Sequence, residues 1–286
     1  MRRGSRWFAI AGTVWLTALA AMLGNTSAIQ AAPPQRVVSI NLCTDQLAML
    51  LAADGQLYSV SHLASDETVS VLAKQAGEFV TNHGLAEEIF LMKPDMILSG
   101  TYTTRATIDI LKRLGFRVEE FAPEFSFDDI RKNVRRMGSL LGQNAKAEQL
   151  LRDMDATLAG IGPKAPDAPT IALYYANQLT SGSGTLAGDV VNHAGLNNMG
   201  EKLGLQGTQK LPLEQLVMAK PDLIAVHNAY AAPALAYEAQ VHPAFRAALQ
   251  GKSLIDISDK YWICGAPFTA DAVKLLSESA RQAISQ

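Results

Sequence analysis

The chain has 286 residues, 48% of them hydrophobic and 18% charged, with 25 basic and 27 acidic side chains for a formal charge of −2. That balance makes nucleic acid and anionic membrane surfaces poor partners. After residue 32 there is no heptad array, low-complexity run or span-length apolar stretch, and the length suits one large domain or two lobes.

The first element is a leader. Arg2, Arg3 and Arg6 precede an uncharged stretch over residues 7–23, and small residues then offer cleavage after Ala28 or toward Ala32. Residues 1–32 therefore read as a secretory signal. The stretch is short for a membrane span, and no cysteine lies near the cleavage region to carry a lipid anchor, so an exported, soluble product is expected. Without these residues, 22 basic and 27 acidic side chains remain, a formal charge of −5, and Trp262 is the only tryptophan left.

Beyond the leader, strands and helices alternate. Residues 36–40 form a β-branched strand, and Asn41 or Thr44 can cap the helix that follows through Leu47, Leu50 and Leu51. Further strands are expected at 57–60 and 79–80, then a helix and strand over 85–98. A helix over 108–114 stops at Gly115, and a strand follows over 117–121. This alternation predicts a parallel sheet covered on both faces. From Ser126 helix formers take over, giving two helices, the second over about 145–158. Alternation then resumes with a strand at 170–175, helices near 189–194 and 243–249, a strand at 253–257 and a last helix from Ala270. The layout is a lobe (33–125), a helical segment (126–162) and a second lobe (163–286).

Two stretches repeat one another 127 residues apart: LAEEIFLMKPDMIL (85–98) and LPLEQLVMAKPDLIA (211–225). In each, a glutamate, Glu87 or Glu214, stands seven positions before a Pro-Asp pair. Each copy reads as a short helix, a stop at the residue before proline (Lys93, Lys220) and a buried strand. The glutamates fall in the first helical turn, where the helix dipole favours an acid by about 0.3–1 kcal/mol. A capping role explains one such acid, whereas matched placement in two copies points to a paired surface role.

Ligands of open parallel sheets collect beyond the carboxyl ends of strands. The residues there are Cys43, His62, Asn82, His83, Tyr102 and Arg105 in the first half. In the second they are Tyr174, Tyr175, Asn177, His227, Asn228, Tyr230, Tyr261, Trp262 and Cys264. Many are aromatic, and flat, partly exposed rings suit a bulky planar or chelated ligand. His193 and His242 read as structural. No histidine spacing makes a metal site. For Cys43 and Cys264, a disulfide, free thiols in a pocket and thiolate ligation all remain open, although no CxxC or HxxH spacing supports the last. A secreted cysteine-dependent enzyme would need a nucleophile signature that is not present. The segment GSGTLA (182–187) fits GxGxxA only formally, because six residues separate it from Tyr175.

The signal segment, RVVSINLCTDQLAMLLA (36–52), the two Pro-Asp repeats, the helix-only middle and AGLNN (194–198) together resemble the periplasmic substrate-binding proteins for iron-siderophores, cobalamin and haem. The resemblance covers essentially the whole chain after the leader. It implies an α/β fold of two Rossmann-like lobes with mostly parallel sheets joined by one long helix, the class III periplasmic binding protein architecture. It also implies a monomeric binding protein without catalysis, cofactor or resident metal, with a metal chelate held between the lobes. An iron(III)-siderophore is expected first, with cobalamin (or another corrinoid) or haem as alternatives. The implied partner is an ABC importer permease dimer with its ATPase, and Glu87 and Glu214 match the family's docking acids. The chain departs from cobalamin binders at Thr81-Asn82-His83, where they place an aromatic, and it lacks the tyrosine that many haem binders carry there. Ile263-Cys264-Gly265 stand where charged residues often follow the last aromatic. Arg105 is then the leading cation for an anionic siderophore.

Overall fold

The first half alternates β1 (Val37–Ser39), α1 (Leu42–Leu51), β2 (Leu57–Ser61), α2 (Ala73–Ala76), β3 (Val80–Asn82), α3 (Ala86–Met92), β4 (Met96–Gly100), α4 (Arg105–Arg113) and β5 (Val118–Phe121). These elements come from a computed structural model that describes residues 32–226, 235–249 and 253–284. The expected signal segment up to residue 31 and the candidates His227, Asn228 and Tyr230 lie outside the described residues. The five strands make one parallel sheet in the order β3-β2-β1-β4-β5. Val37, Val38, Met96, Ile97 and Leu98 are buried on its two faces, which is why these strands read as continuous apolar runs. The chain leaves β1 toward one edge and returns on its other side as β4, so the strand order reverses between β1 and β4.

Two helices follow, α5 (Phe127–Leu141) and α6 (Asn144–Ala159). Ser126 caps α5 by accepting the Asp129 N–H at 3.2 Å, and Gly142 ends it at a φ of 72°, a conformation natural to glycine. Phe127, Ile130, Val134 and Met137 bury one face of α5, and α6, about 24 Å long at 16 residues, carries the chain toward the second sheet.

The second half holds β6 (Thr170–Leu173), β7 (Leu179–Ser181), α7 (Leu186–His193), β8 (Asn197–Asn198), α8 (Met199–Lys202), β9 (Thr208–Lys210), α9 (Leu213–Ala219) and β10 (Leu223–Val226). It closes with α10 (Glu238–Val241), α11 (Pro243–Ala248), β11 (Ser253–Asp256), α12 (Lys260–Ile263) and α13 (Thr269–Ile284). A second parallel sheet has the order β11-β10-β6-β8, while β7 and β9 pair antiparallel beside it. The fold is thus α/β with two parallel sheets. One apolar cluster runs from Val37 and Leu47 through Val134 and Leu151 to Ile171, Val190 and Val273, so both sheets share a continuous core.

The short elements α2, β8, α8 and α10 were not expected, and two further departures bear on the site. The residues after the last strand, KYWI, form the helical turn α12 instead of a loop. The short pair β7–β9 carries no hydrophobic alternation, and the three residues of β9 are exposed, which is why periodicity does not show it.

The repeat copies fold alike. α3 and α9 each have seven residues and end on a lysine in the left-handed region, Lys93 at φ 49° and Lys220 at φ 47°. The stop falls at the residue before proline, but in a left-handed turn instead of the extended backbone that proline favours there. The aspartate of each Pro-Asp pair then ties its strand to the first strand of the same sheet. Asp95 accepts the N–H groups of Gln35 (2.6 Å) and Arg36 (3.1 Å), and Asp222 accepts that of Thr170 (2.7 Å).

Candidate functional site

The segment after β1 is built by its own polar residues. Asn41 caps α1, accepting the Cys43 N–H at 3.0 Å, and Thr44 bonds the Ser39 hydroxyl at 2.8 Å. Asp45 is fully buried and accepts the N–H and hydroxyl of Ser61. Burial pushes its carboxyl up to about 6, against the lowering effect of bonds to Ser39 and Ser61. This network fixes the N-terminus of α1, and with it Cys43, at the carboxyl edge of the first sheet.

Cys43 is joined to Cys264 by a disulfide, with a Cα–Cα distance of 5.0 Å across 221 residues of sequence. Neither is a free thiol or a metal ligand, which settles the three readings open from sequence. Cys43 follows a strand of the first sheet and Cys264 follows the last strand of the second, so the two carboxyl edges face one another. A second link lies beside the first. The Gly265 N–H donates to Glu124 at 3.2 Å, and Asn133 donates to the other carboxylate oxygen. Burial raises the Glu124 carboxyl in spite of these bonds. A side chain at Gly265 would meet the Glu124 Cβ at 2.5 Å, so the contact requires glycine.

At the carboxyl edge of the first sheet, beside the disulfide, lies an open concavity lined by residues of the first half, among them Asn41, Cys43, Gly100, Thr101, Tyr102, Phe121 and Glu124. These residues follow β1, β4 and β5, so the pocket sits where the strand order of the first sheet reverses. A second, open concavity lies between Glu67 and residues 70–75, which follow β2, and Lys260 of the second half.

The structure separates the expected ligand contacts into two groups. Tyr102 is 86% exposed at the pocket, and His62 and His83 stand at the ends of β2 and β3 with their rings stacked at 5.3 Å. His83 is oriented by Glu88, which accepts its N–H at 2.7 Å and lies 3.1 Å from its Nδ1. These three side chains are open to a ligand.

Several of the others are buried, and others are exposed but held by partners on the surface. Asn82 is buried and donates to the Ser39 carbonyl and Ser59 hydroxyl, bracing three strands. Tyr174 is buried and stacks on Phe245 at 5.5 Å; burial, with the Glu214 charge nearby, pushes its hydroxyl up to about 12. Tyr175 accepts a bond from the Ser181 hydroxyl and is raised by burial. Trp262 is 9% exposed within the shared core, because α12 turns it inward. Arg105 ion-pairs with Glu120 at 2.6 Å, and Lys112 holds the other oxygen of the same carboxylate. His193 bonds Asp189, and His242 caps α11. In GSGTLA, the N–H groups of Gly182 and Ser183 are taken by the carbonyls of Gly207 and Leu205, so that turn offers no phosphate cradle. Glu87 and Glu214 are exposed in the first turns of α3 and α9.

Sequence reasoning missed Glu124, Thr101 and Gly265. The signal for Glu124 was its place just after the strand that ends at Phe121, in FAPEF. Gly265 was visible only as the glycine after Cys264. Among the described residues no cluster of histidine, cysteine and acids could hold a metal ion.

A family model described as periplasmic binding protein matches residues 37–245. A curated relative, an uncharacterized ABC transporter substrate-binding lipoprotein of Bacillus subtilis (strain 168), is 24% identical over 135 residues. That match spans 46% of this chain and 42% of the relative's length, so the chain covers less than half of it. The periplasmic heme-binding protein RhuT from Roseiflexus sp. RS-1 superposes with a TM-score of 0.70 at 18% identity, over 87% of this chain and 98% of that one. The vitamin B12 binding protein BtuF of Vibrio cholerae gives 0.64 at 20% identity, over 89% and 99%. An ABC-type Fe3+-hydroxamate transport system structure from Saccharomonospora viridis DSM 43017 gives 0.65 at 16% identity, over 87% and 93%.

Proposed function

The chain belongs to the periplasmic binding protein family, binding proteins and not enzymes, and we propose that it is the substrate-binding component of an ABC importer that captures an iron(III)-siderophore. The observation that carries this reading is the concavity at the reversal point of the first sheet, beside the disulfide that ties this edge to the second half. Its lining mixes amide, hydroxyl and carboxylate groups with one exposed phenol, the chemistry that meets the polar periphery of a chelate.

The alternatives of the same family are haem and cobalamin, the ligands named for the solved structures of RhuT and BtuF. A flat macrocycle gains from exposed rings on which to lie. Here Tyr174, Tyr175 and Trp262 are packed inside, which favours the siderophore. Delivery would use Glu87 and Glu214 against a permease dimer, one acid per lobe. An exported location follows from the leader. Both cysteines of the chain are joined to each other within the fold, which supports a form without a cysteine-linked lipid.

Thermal melting with a ferric hydroxamate, a ferric catecholate, cyanocobalamin and hemin tests the assignment. A ligand at a hundredfold excess over Kd stabilises by about 2.7 kcal/mol. A shift with a ferric siderophore alone is expected; a shift with hemin or cyanocobalamin alone would replace the ligand assignment.

A further inference from the structure

The two repeat copies present the same surface. Glu87 is followed four residues later by Leu91 and six later by Lys93, and Glu214 is followed at the same spacings by Met218 and Lys220. The buried positions correspond as well, Ala86 and Ile89 in α3 with Leu213 and Leu216 in α9. Leu91 is 76% exposed and Met218 is 79% exposed, and among the described large hydrophobic residues only Tyr102 and Leu235 are more so.

One exposed apolar side chain needs no explanation. Two at equivalent positions of a repeat are different, because neither packs against its own fold and a polar residue there would cost the fold nothing. Residues four apart share one helical face, so each helix offers an acid and an apolar knob together, with a lysine at its far end. Each helix runs into the amino end of the strand that follows it, so its own N-terminus lies toward the carboxyl edge of its sheet. Glu87 and Glu214 therefore flank the same cleft from opposite lobes.

We infer that Leu91 and Met218 are the apolar halves of two equivalent docking spots, each seated in a hollow beside a cation on one of two like membrane subunits. This rests on the reading above, in which the two acids face a permease dimer. The division of labour is physical. Exposed charges at an interface rim set orientation and encounter rate, whereas a desolvated apolar anchor sets how long the complex lasts. Two matched spots on one chain fit a partner built from two matched subunits better than any asymmetric one.

The experiment places the photo-crosslinking residue benzoylphenylalanine at position 91, 218 or 215 of the full chain in its native host, with position 114, at the C-cap of α4, as control. Adducts are identified by mass spectrometry. The expected result is that 91 and 218 capture the same polytopic membrane protein, that 114 does not, and that Leu91→Ser lowers the yield at 218 about tenfold. Circular dichroism and melting of Leu91→Ser and Met218→Ser should match the parent, since both side chains lie outside the core. Capture at 215 that is lost in Glu87→Lys/Glu214→Lys, with none at 91 or 218, overturns the inference and leaves the docking reading standing. No membrane adduct at 91, 218 or 215 overturns both. Adducts at 91 and 218 with different proteins, or with a second copy of this chain, overturn the inference.

Discussion

Asp95 grips Arg36 from both sides: its carboxylate accepts the Arg36 N–H at 3.1 Å, and its own N–H donates to the Arg36 carbonyl at 3.1 Å. Asp222 repeats this with Thr170, at 2.7 and 2.9 Å. Each pair starts the pairing of the first strand of a sheet with the strand after the repeat helix. The repeat therefore holds two kinds of acid, a glutamate with its side chain in solvent and an aspartate that sets strand pairing. Asp95→Ala and Asp222→Ala should each lower the unfolding free energy by about 1.5–3 kcal/mol, the range for hydrogen bonds to a charged acceptor. Glu87→Gln and Glu214→Gln should leave the urea midpoint unchanged. Equal loss in all four variants would contradict the distinction.

The Cys43–Cys264 disulfide closes a loop of 221 residues between the two lobes. The chain-entropy account gives up to about 5 kcal/mol for a loop of that length. Cys43→Ser/Cys264→Ser should show a clearly lower denaturant midpoint. The untreated protein should show no reactive thiol when denatured, and two after reduction.

Asp45 gives the stability a pH signature. Its carboxyl titrates at about 6 in the fold and near 3.8 otherwise, so between those values the native state holds a proton that the unfolded chain has lost. Stability from this group is therefore reduced at neutral pH and recovers as pH falls through 6, levelling off below about 4. Measured against Asp45→Asn, the stability of the parent should rise on acidification from pH 7 to 4 by at most about 3 kcal/mol. A difference that is flat with pH would show that Asp45 is not held as described.

Trp262 is the only tryptophan after residue 32 and lies in the shared core, two residues before Cys264. Its emission should resist iodide quenching and respond to reduction of the disulfide more than to any ligand. Strong quenching by iodide, or a ligand response larger than the reduction response, would place it in the open cleft instead.

Much of the fold was legible because its determinants are local. Buried parallel strands read as apolar runs, Asn41 and Ser126 are helix caps by side-chain chemistry, and each Pro-Asp pair marks a helix stop. The site was legible only in part. Position after a strand selected Tyr102, His62 and His83, which are exposed, and equally Asn82, Tyr174 and Trp262, which the packing turns inward. Strand-end position says which edge a residue occupies, but not which way its side chain points. Glu124 escaped because nothing local separates a buried, bonded glutamate from a solvated one.

The sequence by itself determined the alternation of strands and helices and a repeat whose two copies share their pattern of apolar and charged positions. Both depend on neighbours within a turn or two. Only the tertiary structure decided that Cys43 and Cys264 meet, that Asp95 and Asp222 anchor first strands, and that Tyr174 and Trp262 belong to the core while Tyr102 stays exposed. Those facts join residues dozens to hundreds of positions apart, and such contacts exist only once burial of the shared core has brought the two sheets together.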